Sequence, residues 1–177
     1  MNGKLMAAAA ATIFALTACA AQARPYLMLS ADSQGFKALD LGDIHQEGID
    51  SAQITLITAP LAGAAYGDGK LAPIMKQRLE FECQGQRWRV VAVGFADGKD
   101  QPLASDPGDK LWKPLGADPL LAASKDAACL RRYRDAMVSR VLNLGEIVTN
   151  FHNAWGPAAP EYLTERQLIK RKFDASH

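Results

Sequence analysis

Between Ile74 and Phe95 the chain carries its most restrictive pattern. Leu79, Phe81 and Cys83 alternate with Arg78, Glu80 and Glu82, and Gln84-Gly85-Gln86 then breaks the run. Strict alternation puts one residue set on each face of a strand. Arg87 to Phe95 resumes it, with Trp88, Val90 and Ala92 on one side and Arg89, Val91 and Val93 on the other. Two alternating runs about a short turn predict an antiparallel hairpin. The returning strand is apolar on both faces toward its end, which predicts a central position in the sheet.

Other strand signals surround it. Tyr26 to Leu29 reads as a short strand, and Asp32-Ser33-Gln34-Gly35 as a turn. Phe36 to Leu41 reads as a second strand, Asp40 to Gly48 as a turn-bearing loop, and Ala52 to Ala59 as a strand ended by Pro60. Leu61 to Pro73 and Ala96 to Lys113 read as surface loops, with Trp112 as an apolar anchor in the second. Asp118 is placed to cap a helix that Pro119 opens. Helical spacing then runs on through Tyr133, Met137, Val141, Leu144 and Val148, with Gly145 as a weak point, until Pro157 and Pro160. Glu161 to Phe173 can form a last short helix. The expected fold is α+β: an antiparallel sheet of about five strands packed with a helix over residues 24–130, plus a helical C-terminal extension over 131–177.

Residues 1–23 read as a signal peptide and are set aside from the fold. Lys4 supplies the positive start, and Leu5 to Leu16 is apolar and uncharged. That run is about 12 residues, short of the about 20 that span a bilayer. Two cleavage sites compete. Leu16-Thr17-Ala18-Cys19 resembles a bacterial lipobox, with Cys19 as the lipidated residue. Ala21-Gln22-Ala23 fits ordinary signal peptidase, cutting before Arg24. The expected location is the outer membrane as a lipoprotein, or the periplasm as a soluble protein. Either cut removes Lys4 and turns a formal charge of +1 into zero. A neutral chain has no global electrostatic pull toward nucleic acid.

The sequence has three cysteines. With Cys19 lipidated or removed, Cys83 and Cys129 remain, and an oxidising compartment makes a bridge between them the natural reading. Closing a loop of about 45 residues contributes roughly 3–4 kcal/mol in the chain-entropy model. Two buried free thiols are the other reading. No Cys-x-x-Cys or His-x-x-x-His accompanies the pair, so no metal site is expected.

Leu39-Asp40 with Asp43-Ile44 and Gly48, then Glu80-Phe81-Glu82-Cys83, a turn and Trp88-Arg89-Val90-Val91, then Trp112-Lys113-Pro114-Leu115 before a helix ending at Cys129, form a familiar series. Over about residues 26–130 the chain resembles the surface-adhesin protein E-like family of small bacterial envelope proteins. The resemblance implies an antiparallel sheet packed with a helix and a role at the outer envelope, where some members bind host matrix or serum proteins. The C-terminal extension falls outside it.

Motifs of catalysis fail one by one. Gly63 to Lys70 has the wrong spacing for a phosphate loop, and Leu71 replaces the required hydroxyl residue. His45, His152 and His177 are far apart, and there is no Gly-x-Ser-x-Gly elbow. Glu80 and Glu82 share a strand face, where outward charges are the commoner reason for such a pair. The chain therefore reads as noncatalytic and without cofactor: an envelope protein with a binding or structural role, or alternatively a soluble periplasmic binding or inhibitor module acting on an envelope enzyme. An unidentified protein or a host-surface component is the expected partner, with the membrane engaged only through a lipid at Cys19. Trp155, Arg131, Arg132 and Arg134 are the candidate contact residues, an aromatic and a basic cluster of the kind interfaces use.

Overall fold

The computed structural model describes residues 23–155 apart from Ser33 and Leu142. The expected signal peptide up to residue 22, with Cys19, the helix expected over Glu161 to Phe173, and His177 lie outside the described residues.

Among the described residues ten strands and two α-helices follow one another. In chain order the strands are β1 (Arg24–Asp32), β2 (Gly35–Glu47), β3 (Ser51–Pro60), β4 (Ala64–Tyr66), β5 (Lys70–Ala72), β6 (Ile74–Glu82), β7 (Arg87–Ala96), β8 (Pro102–Pro107), β9 (Lys113–Pro114) and β10 (Val138–Val141). Helix α1 spans Pro119–Leu130 and α2 spans Leu144–Trp155. One antiparallel sheet runs β10-β1-β2-β3-β6-β7-β8, with β9 also paired to β7. The architecture is α+β, with more strands than the five expected.

Each added strand has a physical reason. The stretch expected as a loop after Asp40 continues β2 to Glu47, because a bulge between Asp40 and His45 restores pairing with β3. The small-residue loop after Leu61 closes into the β4–β5 hairpin, and Tyr66 stacks on Phe95 with ring centres 5.2 Å apart. The segment after Ala96 supplies β8, an edge strand with proline at both ends, where a missing donor is tolerated. Gly108 lets the chain cross from β8 to β9 against β7: a Cβ there would lie 2.0 Å from the Val90 carbonyl oxygen.

The simple alternation expected on β7 also fails. A register shift leaves Leu79 opposite Val90 but Arg78 opposite Ala92. Val93 therefore packs in the same core as Trp88 and Val90 rather than against the opposite face.

The largest correction concerns residues 131–141, expected as helix. Asp118 caps α1 as its sequence suggests, its Oδ1 accepting from Leu120 N at 2.8 Å. The helix stops at Leu130, where Arg131 turns left-handed at φ 54°. A 3-10 turn at Asp135–Met137 follows, and then β10, which pairs with β1 at the sheet's edge. The apolar spacing of Tyr133, Met137 and Val141 is thus split between turn and strand.

Alternation makes the central strands apolar on both sides. Leu27, Leu39, Ile54, Leu56, Leu79 and Phe81 form one core with Ala127 and Ala128 of α1. Tyr26, Phe36, Ala38, Ile57 and Ile74 form another with Leu144, Val148 and Phe151 of α2. Successive residues such as Leu56 and Ile57 point to opposite faces, so the two helices sandwich the sheet. Gly145 is a close-packing position: a Cβ there would lie 2.5 Å from the Gly98 carbonyl oxygen.

Candidate functional site

Cys83 lies just past β6 and Cys129 in the last turn of α1, with Cα atoms 5.5 Å apart and sulfurs at bonding distance. This geometry is compatible with a disulfide. Lys125 of α1 also donates to the Gly85 carbonyl in the β6–β7 turn. The end of α1 is therefore held at one place on the hairpin, and the chain leaving it starts from a fixed point.

That exit frames an apolar groove of about 510 Å³. Leu27 and Leu29 of β1 form one side, Pro119, Leu120 and Ala123 of α1 another, and Tyr133 and Met137 the outer lip. Tyr133 is 40% and Met137 39% exposed. Arg132, Arg134 and Asp126 bring charge to the lining. Among the described residues no carboxylate lies within ion-pair distance of Arg131, Arg132 or Arg134.

The sheet face beside α2 is the opposite case, because there the cations are matched. Arg24 pairs with Asp40 at 2.9 Å, Lys76 with Asp100 at 2.6 Å and Arg78 with Asp43 at 3.1 Å. Arg89 meets Glu80 at 2.7 Å, and Arg87 grips both carboxylate oxygens of Glu82 at 2.6 and 2.9 Å. Glu80, expected as an outward charge, is 4% exposed. The two glutamates thus anchor arginines across the hairpin.

Trp112, expected as the apolar anchor of its loop, is 36% exposed. It lies 4.6 Å from the Arg89 guanidinium and 5.5 Å from that of Arg87. Their ion pairs fix the arginines, and the indole covers them.

Arg24, Asp40, Asp43, Thr55, Lys76 and Arg78 also line a shallow depression of about 380 Å³. Burial pushes the Asp40 carboxyl above its ordinary range, against the pull of Arg24. Burial acts likewise on Asp43, but hydrogen bonds from Thr55 and His45 and the charge of Arg78 outweigh it, leaving Asp43 below that range. Burial, aided by Asp40, pushes the Tyr26 phenol up to about 12. These groups already satisfy one another across four strands.

Comparison with protein-family models, with curated proteins and with solved structures finds no match. The site therefore rests on its own geometry.

The contact residues named from sequence do not form one surface. Arg132 and Arg134 line the groove and Arg131 caps α1 beside it. Trp155 ends α2, the helix on the other side of the sheet. Leu27, Leu29, Leu120 and Met137 escape a sequence reading, since each looks like ordinary core. His45 is bonded to Asp43 at 2.9 Å, and His152 lies in α2. Among the described residues no group of three or more His, Cys, Asp or Glu is arranged around a metal position, and no helix is long and apolar enough to cross a membrane.

Proposed function

We propose that this is a noncatalytic bacterial envelope protein of the adhesin E-like kind, anchored by a lipid on Cys19 and acting by binding. The observation that carries the reading is the groove of Leu27, Leu29, Leu120, Tyr133 and Met137 beside arginines that no carboxylate of the described residues matches. Arginine and tyrosine at the lip of an apolar cleft are the residue types that dominate binding energies. Methionine there adapts to a partner's shape. The cysteine pair at bonding distance supports an oxidising compartment.

Intact mass after production in a bacterial envelope tests the anchor. A chain beginning at an acylated Cys19 is expected. A chain beginning at Arg24 replaces the anchored reading with that of a soluble periplasmic module. Turnover of an envelope substrate, abolished by a substitution at the Asp40–Asp43 depression, overturns the noncatalytic reading.

A further inference from the structure

Strand β1 is longer than the strand that flanks it. β10 pairs only with Arg24 to Leu27, while β1 runs on to Asp32. Among the described residues no strand pairs with the outer side of Met28 to Asp32, and the 3-10 turn Asp135–Met137 touches β1 without pairing to it. A strand edge left open presents alternate N–H and C=O groups to any chain that lies alongside. Ala31 and Asp32 are exposed, and Met28, Leu29 and Ser30 half-buried.

The open edge borders the groove. Leu27, Leu29 and Ser30 contribute to the groove's wall, and Ser30 also lines a second depression with Asp32, Gln34, Lys37 and Thr58. The two hollows therefore meet along one stretch of β1. Backbone groups at the edge and side-chain pockets beside it are the two requirements for recognition by strand addition.

Resting on the binding role proposed above, we propose that the outer edge of Met28–Asp32 receives an extended segment of a partner protein as an added strand. Its apolar side chains enter the groove, and its acidic side chains meet Arg132 and Arg134. The charge of the occupant follows from the rim. Arg132 and Arg134 line the groove with Asp126 as its acid, and neither arginine is ion-paired among the described residues, while Asp32 at the end of the edge shares the second depression with Lys37. Pairing of two copies through this edge would set identical arginine rims side by side, which disfavours a second copy as the occupant.

The test begins with a displayed library of random 12-residue peptides panned against the purified, oxidised protein. Enriched sequences are expected to carry apolar and acidic residues together at alternate positions, because both sets must reach the groove face. The best peptide is synthesised, and amide hydrogen exchange should slow at Met28–Asp32 in its presence. Methylating alternate backbone nitrogens of the peptide should abolish binding in one phase and spare it in the other, because a strand donates to a given neighbour from alternate residues. The exposed double substitution R132E/R134E should weaken binding by about tenfold or more.

Protection elsewhere, or equal tolerance of both methylation phases, overturns strand addition. Edge protection that grows with protein concentration in the absence of peptide assigns the edge to a second copy instead. Displacement of the peptide by vesicles of anionic lipid, with no edge protection by peptide, assigns the groove to lipid. A selected peptide that binds the R132E/R134E protein at full strength overturns the inference and leaves the general binding role standing.

Discussion

Asp40 and Asp43 stand on one bulged stretch of β2, yet their surroundings drive their carboxyl groups in opposite directions. Asp43 is held by Thr55 Oγ1 at 2.6 Å and Arg78 at 3.1 Å. Asp40 is more deeply buried and leans on Arg24, whose side chain is half exposed. The signs for stability are opposite as well. A lowered carboxyl contributes stability above its unfolded value of about 3.9, and loses it as pH falls through the folded value. A raised carboxyl loses stability as pH climbs from that unfolded value through the folded one.

Asp43→Asn should therefore destabilise the protein near neutral pH by about 1–3 kcal/mol, since Arg78 and Thr55 lose a charged acceptor. The deficit should shrink as pH falls through the lowered Asp43 value. Asp40→Asn should be near neutral or stabilising at pH 7, because it removes a charge that burial disfavours. Urea unfolding of both variants across pH checks the pair; equal losses at neutral pH would refute the assignment.

The join between β6 and α1 predicts a second result. Reduction, or the double substitution of Cys83 and Cys129 by serine, should lower stability by about 3–4 kcal/mol through the freed loop. The urea midpoint of oxidised against reduced protein reads this directly, and unchanged midpoints would show that the cysteines are not joined.

Gly145→Ala should reverse a familiar sign. Alanine normally improves a helix by up to about 1 kcal/mol over glycine. Here its Cβ would lie 2.5 Å from the Gly98 oxygen and 2.9 Å from Lys99 Cα, both backbone atoms that must move. A lower melting temperature is expected, and a rise would mean that α2 does not seat on the β7–β8 turn.

Trp112→Ala removes the cover from Arg87 and Arg89 and should cost about 1 kcal/mol. Because the groove lies on the α1 side of the sheet, the variant should keep full affinity for any groove ligand. A loss of such binding would move the contact surface to the tryptophan.

Local pattern made much of this fold legible. The Leu79-Phe81 alternation, the Gln84-Gly85-Gln86 turn and the Asp118-Pro119 helix start rest on near-neighbour physics, and each appears in the structure. Bulges were invisible, because an extra residue in Asp40 to His45 or near Val91 looks like a loop or a break in phase. The end of α1 was invisible too. Arg131 adopts a left-handed turn without a glycine to announce it, and Val138 to Val141 becomes a strand only because β1 offers an edge. The arginines of the groove were visible as a cluster. Its apolar walls were not, since Leu27 and Leu120 come together only when β1 and α1 pack.

The pairing of Arg24 with Val141 joins the first described strand to the last. During synthesis β1 emerges before any of its partners, and its outer neighbour emerges after every other described strand. The sheet consequently closes at the edge where it began, a long-range contact of the kind that slows folding. The same pairing brings the start of the first described strand alongside the end of the last one.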